Sequence, residues 1–490
     1  MKIHQRYKRF MPKVVGITAA VIVAFGVIML QIPSTKAASL HKKYQFIDTN
    51  YSIPSSNVAW VAPNGNDATG NGSENSPYKT FGKAVTAVPS GGTVVAKSGI
   101  YREPHFFVSK NNITLQAAPH AEVWLKGSDI VTNWTGDNGI WKTTGNYHNF
   151  CHVCTTNSDP GKEGVAAYPE QVFINDEPMQ QVATKAEVTP GSNTFYVEDK
   201  TPTTLNVPGD NSKGYNIGAQ DNITYYIGKN PAAGQVEISE RPRAFTATGQ
   251  NFTARGINVA QYASVQAWGF ADPVYGKDIS GPTAVSLNGN NSLAQNMIIT
   301  QNSNQGLFFN QAKASANGVK VIDNGGSGAG ANKAHDSVFE NSELHGNNAA
   351  GFITSGCGAY CTMADIKVAH TKNFIFRNNI LDNSNSGKVQ SAPTNADNVG
   401  TINFWCDEGC IDTKIVNNFF TNSSLAIMYE VSGSAVIASN IIESSGTGIR
   451  VSGSENVKLY NNTISRTYRP VYLFEDWRMN GCNAWNTAGV

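Results

Sequence analysis

From about Ala254 to Arg466 the chain alternates short β-branched or aromatic runs with single asparagines and small clusters of Asn, Ser and Gly. The strings "LAQNMIIT", "ASANGVKVIDN", "VFENSELHGN", "FIFRNNILDN", "KIVNNFFTNS", "VIASNIIESS" and "KLYNNTISR" share one layout. Aligning Asn296, Asn317, Asn341, Asn379, Asn418, Asn440 and Asn462 gives spacings of 21, 24, 38, 39, 22 and 22 residues. Each unit reads strand, tight turn, strand, turn, with no room for a helix. All-β units repeating near 22 residues predict a solenoid, here a parallel β-helix whose coils stack about 4.8 Å apart. Asparagine suits the corner because it tolerates a left-handed backbone and its amide can bond to the asparagine one coil above and below.

The rest of the chain is read against that period. Residues 38–55 are polar and irregular and predict a linker. From Ala59 a strand enters a Gly/Asn loop, a short helix follows from about Lys79 behind Ser76-Pro77, and Gly91-Gly92 turns into "TVVAKSG". An amphipathic helix there would cover the open edge of the first coil. Residues 132–250 lose the period and carry short strands between Pro, Gly and Asp, which predicts a small β-rich insert. The expected layout is a signal peptide or membrane anchor over 1–37, then linker, cap and first coils over 38–131. The insert (132–250) and the remaining coils with a C-terminal tail (251–490) complete it. Two spacings exceed one coil by about 16 residues, at "SELHGNNAAGFITSGCGAYCT" and "SNSGKVQSAPTNADNVGT". Long loops on one face of a solenoid commonly wall a groove.

Charge changes the picture at the N-terminus. The first 37 residues hold six Lys/Arg and no Asp/Glu; without them 31 basic residues face 36 acidic ones. A mildly acidic body offers no electrostatic case for nucleic acid or anionic lipid. The basic leader precedes an apolar run from Val14 to Leu30, and Thr35 to Ala37 supplies small residues for cleavage. An export signal, or an uncleaved anchor as the one membrane contact, places the body outside the cytoplasm or at the cell surface. Seven cysteines, among them the close pairs Cys151/Cys154, Cys357/Cys361 and Cys406/Cys410, then read as disulfides rather than a zinc site, with the pairing left open.

Four charged residues precede the corner asparagine by 12, 11, 10 and 12 positions: Lys367, Asp407, Glu430 and Arg450. That spacing predicts one stack on consecutive coils, each about 5 Å from the next, in inside/outside phase with the preceding Ile366, Trp405, Met428 and Ile449. Asp407 and Glu430, flanked by cations, make an acid and a base out of like groups. About 5 Å between their side chains suits a retaining glycosidase, and 6.5 Å or more an inverting one. Lys367 completes the catalytic set, with Arg450, Trp405, Tyr429 and Glu408 as substrate contacts. No metal or other cofactor is required. The alternative is a lyase, with Lys367 or Arg450 as base and Ca²⁺ held by Asp407, Glu408 and Glu430. The plain structural alternative is a ladder of cross-strand ion pairs, each worth about 0.2–1 kcal/mol.

Two stretches carry a family resemblance. The segment from Val61 to Glu103 resembles the opening of many exported right-handed β-helix proteins. The strings Asp365-Ile366-Lys367, Asn403-Phe404-Trp405-Cys406-Asp407 and Ala426-Ile427-Met428-Tyr429-Glu430-Val431-Ser432 resemble the running pattern of the pectate-lyase-like superfamily. Asp365 and Ala426 depart from it where glycine is expected, and no Asp-Pro-His-Glu string is present, which argues against an epimerase. The resemblance implies an all-β, right-handed parallel β-helix and a carbohydrate-active role. The expectation is an exported monomer that cleaves a polysaccharide as a hydrolase or lyase. A non-catalytic glycan-binding or adhesion protein is the rival, because fold does not settle function.

Overall fold

The computed structural model describes residues 38–148, 150, 168–198, 220–264, 283–351, 363–383 and 402–475. Three long parallel sheets carry the architecture: one of 11 strands starting at Val58–Val61, and two of 10 strands starting at Gly99–Tyr101 and Phe106–Val108. We call them the first, second and third walls. One coil takes a strand from each, as in Thr413–Val416, Phe419–Thr421 and Leu425–Glu430, before Ala435–Ala438 returns to the first wall. This is the right-handed parallel β-helix expected from the 22-residue period.

Inward side chains fill the lumen in columns. Phe309, Phe339, Phe376 and Phe404 follow one another with ring centroids 6.3, 5.6 and 4.9 Å apart. Pairs at such separations contribute about 0.5–1.5 kcal/mol beyond area burial, so these rings, two from the third wall and two from the first, tie the coils together across the lumen.

The corner between the first and second walls divides the seven asparagines among three adjacent positions, where the period predicted one. Asn317 ends a first-wall strand, opposite Gln295 and Glu340. The following position turns left-handed in each of these seven coils: Asn296, Gly318, Asn341, Asn378, Asn417, Ser439 and Asn461 have φ between 49° and 66°. One residue later, Asn379, Asn418, Asn440 and Asn462 form a ladder, each Nδ2 donating to the next Oδ1 at 3.1, 3.0 and 2.9 Å. Asn418 Oδ1 also accepts from Asn379 N, and its Nδ2 donates to Phe376 O, so the buried amide is fully satisfied. Left-handed turning and amide stacking thus fall to neighbouring residues.

The short helix Phe81–Ala87 closes the N-terminal end of the lumen. Thr80 Oγ1 accepts from Lys83 N, and the Glu103 carboxylate accepts from Phe81 N and Gly82 N. Phe81, Ala84 and Val85 are buried, with Phe81 against Tyr101 and Phe106. Residues 38–55 correct the linker expectation. Ala38–Tyr44 is a helix whose Leu40 and Tyr44 pack with Trp124, Ala260, Ile298 and Ile322 on the outside of the second wall.

Between Ser128 and Ser239 the chain leaves the coils and builds a four-stranded and a five-stranded sheet around their own apolar core. Third-wall strands resume at Phe245–Ala247, and Thr114–Ala117 pairs in parallel with Thr253–Arg255 as if the excursion were absent. A buried ionic knot anchors it: Lys126 Nζ lies 2.5 Å from Asp176 and 2.6 Å from Glu237, which also accepts from Arg102 at 2.9 Å. Burial pushes the Glu237 carboxyl up, but Lys126 and Arg102 outweigh it and hold it below its ordinary range. Among the described residues no helix is long and apolar enough to cross a membrane; the run Val14–Leu30 lies outside them.

Candidate functional site

Lys367, Asp407, Glu430 and Arg450 all project from the outer face of the third wall, on four consecutive strands from Ala364–Ala369 to Thr447–Ser452. They form two columns where the spacing predicted a single stack. Lys367, Trp405, Met428 and Arg450 are register partners, and two residues further on Asp407 pairs with Glu430. The inward neighbours are therefore Ile366, Cys406, Tyr429 and Ile449; Trp405 and Met428 face outward with the charges.

The two columns interlock. Lys367 Nζ reaches diagonally to Asp407 Oδ2 at 2.8 Å and sits 3.9 Å from the centroid of the Trp405 ring. Trp405 Nε1–H donates to Glu430 Oε2 at 3.2 Å. Ala364, Ile402, Leu425 and Met428 pack with Trp405 as an apolar floor beside the carboxylates. Arg450 stands over Phe474, its guanidinium carbon 5.1 Å from that ring centroid. The expected water-facing staircase is only partly open: Glu430 retains 6% exposure and Arg450 9%, while the Asp407 side chain keeps 14%. Packing has withdrawn the glutamate further than a plain surface strand would.

Tyr429 corrects a second expectation. It points into the lumen, fully buried, and its hydroxyl donates to Cys410 O and Ser434 O, so it does not meet a ligand on the outer face. Glu408 occupies the left-handed corner after Asp407, φ 59°, and leans toward His370, whose Nε2 is 3.8 Å from Glu408 Oε1. His370 holds the same corner one coil earlier and bonds through Nδ1 to Asn332 Oδ1 at 2.9 Å. It passed unnoticed in the sequence, although its place after the Lys367 strand matches that of Glu408 after Asp407. Cys406 and Cys410, both fully buried, bring their sulfurs together around the corner that carries Asp407 and Glu408. Most of the two long loops, 352–362 and 384–401, and the cysteine pairs Cys151/Cys154 and Cys357/Cys361 lie outside the described residues. Among the described residues no three His, Cys, Asp or Glu side chains group as a metal site.

A second polar ladder runs just behind this face. Asn302, Asn324 and Asn347 bond in series, and Asn347 Nδ2 donates to Asp365 Oδ1 at 2.8 Å, while Asn403 Nδ2 donates to Oδ2 at 2.7 Å. Burial pushes the Asp365 carboxyl up to about 7, against the lowering effect of those amides.

The family model for the right-handed β-helix region matches residues 400–490. Among solved structures, the complex of XylC with xylose is similar over 83% of this chain and 69% of its own, at 15% identity and a TM-score of 0.61. A glycoside hydrolase (12% identity, 86% and 96% covered, TM-score 0.49) and the pectate lyase Pel9A (11%, 85% and 79%, 0.43) are more distant. No curated protein matches in sequence. At 15% identity the likeness to XylC is one of fold, and it agrees with the three walls described above. The chain has the right-handed parallel β-helix fold.

Proposed function

We propose that this protein is an exported glycoside hydrolase that cleaves a polysaccharide lying along the third wall, with Asp407 as nucleophile and Glu430 as acid/base. One observation carries the reading: the two carboxylates are register partners on adjacent rungs of one outer face. Adjacent rungs are about 4.8 Å apart, close to the roughly 5–5.5 Å between carboxyls in retaining enzymes. Lys367 holds the Asp407 carboxyl in place through a 2.8 Å ion pair, and the Trp405 N–H fixes one oxygen of Glu430. Glu430 protonates the departing glycosidic oxygen while Asp407 bonds to the anomeric carbon. Water, deprotonated by Glu430, then releases the sugar with retained configuration and restores both groups.

A lyase route through Lys367 would need that amine free to take a proton, and here its ammonium is engaged by Asp407; Arg450 is then the base such a route would use. The contact between the Cys406 and Cys410 sulfurs supports a disulfide and hence an oxidising compartment. XylC shares the fold and is described in complex with xylose, which makes pentose chains the first substrates to try.

The test is reducing-end release by the wild type, Asp407→Asn and Glu430→Gln across a glycan panel, with the first-formed anomer followed by NMR. The reading expects both variants to bind but not cleave, and the wild type to release the retained anomer. Unsaturated uronate products would convert it to a lyase. Binding without turnover on every glycan would convert it to an adhesion protein.

A further inference from the structure

The outer face of the third wall carries a second regularity, in aromatic residues. Phe107, Phe308, Trp405 and Tyr472 lie in one register column, with two non-aromatic rungs between each and the next. The column spans all ten strands of this wall, so an aromatic ring stands at the first, fourth, seventh and tenth. Phe107 is 40% exposed and the other three are partly buried, with Lys367 Nζ 3.9 Å from the Trp405 ring centroid and the Arg469 guanidinium carbon 5.0 Å from that of Tyr472. Their inward neighbours Phe106, Leu307, Phe309 and Cys406 are buried in the lumen; beside Tyr472, on the last rung, Val471 and Leu473 are exposed, and the register with the inward Ile449 and Val451 sets the face.

Phe308 shows how one such ring is laid flat. Its register partner on the next rung is Gly330, where a Cβ would come within 2.9 Å of the ring edge. The glycine therefore leaves room for the ring to fold down over the following rung. Trp405, two rungs beyond Gly330, belongs both to this column and to the candidate catalytic cluster.

Three rungs make about 14 Å, and an extended glycan advances by about one ring per rung. A chain that turns by a third at each residue offers its apolar ring face to a wall only once every three residues. A flat twofold ribbon offers a face at every residue and would gain from platforms on neighbouring rungs. Sugar faces stack on aromatic rings through the same dispersion and C–H contacts that make aromatics dominant in binding sites.

We propose that Phe107, Phe308, Trp405 and Tyr472 are the stacking platforms of one binding track, built for a linear glycan with a threefold repeat running parallel to the β-helix axis. The proposal rests on the third wall being the substrate face. Phe107 and Phe308 lie upstream of the carboxylates and act on chain binding alone.

The test is calorimetric binding of linear xylo-oligosaccharides and oligogalacturonides, both threefold, and of twofold cello-oligosaccharides, from trimer to nonamer, to the full chain carrying Asp407→Asn. Affinity is expected to rise in a step of about fivefold to tenfold between trimer and hexamer, for at least one threefold series and not for the cello series. Phe308→Ala removes that step and leaves the trimer unchanged. Phe308→Leu, which keeps the apolar packing, should do the same with an unaltered melting temperature. A smooth rise with length, a step in the cello series, wild-type behaviour of Phe308→Leu, or failure of all three series to bind would each overturn the track. Cleavage without a length step defeats the track alone, whereas a length step with wild-type cleavage by Asp407→Asn defeats the catalytic reading alone.

Discussion

Trp405 donates its indole N–H to Glu430 Oε2 at 3.2 Å while its ring face carries Lys367 Nζ at 3.9 Å, so one side chain ties together both partners of the candidate carboxylate pair. The hydrogen bond and the ring contact can be separated. Trp405→Phe keeps a ring beneath Lys367 and removes the donor to Glu430. Loss of one preorganised donor in a shielded site costs about 10²-fold in kcat. The variant is expected to lose kcat on that scale while KM moves little. A change confined to KM would reduce Trp405 to a substrate platform.

Lys367→Met removes the cation beside Asp407 and keeps most of the apolar stem that lies on Trp405. The pair is largely shielded, with side chains 17% and 14% exposed. An isolated carboxylate there is poorly solvated, and breaking such a pair costs more than breaking a surface one. Steady-state kinetics should show kcat/KM falling by at least about tenfold. A variant as active as the wild type would mean that Lys367 does no more than brace the wall.

The fold was legible because the β-helix repeats its physics every coil, and a period of 22 survives even where individual residues drift. The site was legible in membership and blurred in geometry. Lys367 and Arg450 stand 12 residues before their asparagine, Asp407 and Glu430 only 11 and 10. Those offsets held the two-residue shift between columns, masked by one extra residue in the corner after Asp407. Tyr429 went astray because the five-residue apolar run Leu425–Tyr429 before Glu430 gives no alternation to tell inside from outside. The Ala38–Tyr44 helix was missed because seven residues, four of them charged or polar, carry too little period to read; its anchors are tertiary. His370, Asp365 and the aromatic column required register, which a sequence without coordinates does not supply.

The division of labour at the asparagine corner predicts opposite tolerances for neighbours. Asn418 is buried and makes four hydrogen bonds to two rungs. Asn418→Ala strands donors and acceptors on both sides and should cost about 3 kcal/mol in denaturant unfolding. Asn417 supplies the left-handed turn at φ 57°. Asn417→Gly keeps that conformation freely and should change stability by less than about 1 kcal/mol. Equal losses at the two positions would mean that the ladder adds nothing beyond the turn.

Asp365 makes stability depend on pH in a direction unusual for an acid. Its carboxyl, ordinarily near 3.8, is raised to about 7 by burial, with only the neutral amides of Asn347, Asn403 and Asn383 in compensation. Between these values the unfolded chain has lost the proton and the folded chain still holds it, so stability falls as pH rises across that window. The contribution is complete below pH 3.8 and gone above about 7. Glu103 and Glu240, raised by burial to about 7 and about 8, act in the same sense. His105, lowered by burial and by Arg243 to about 3, opposes them below its ordinary 6.5. Comparing the wild type with Asp365→Asn isolates the one group, because asparagine copies the shape and neutrality of the protonated acid. Melting temperatures should nearly coincide near the acid end of the window. By pH 8 the variant should melt higher, since it carries no charge to bury. Parallel melting curves at every pH would show that the ladder holds Asp365 ionised throughout, with Asn347 and Asn403 enough to solvate it.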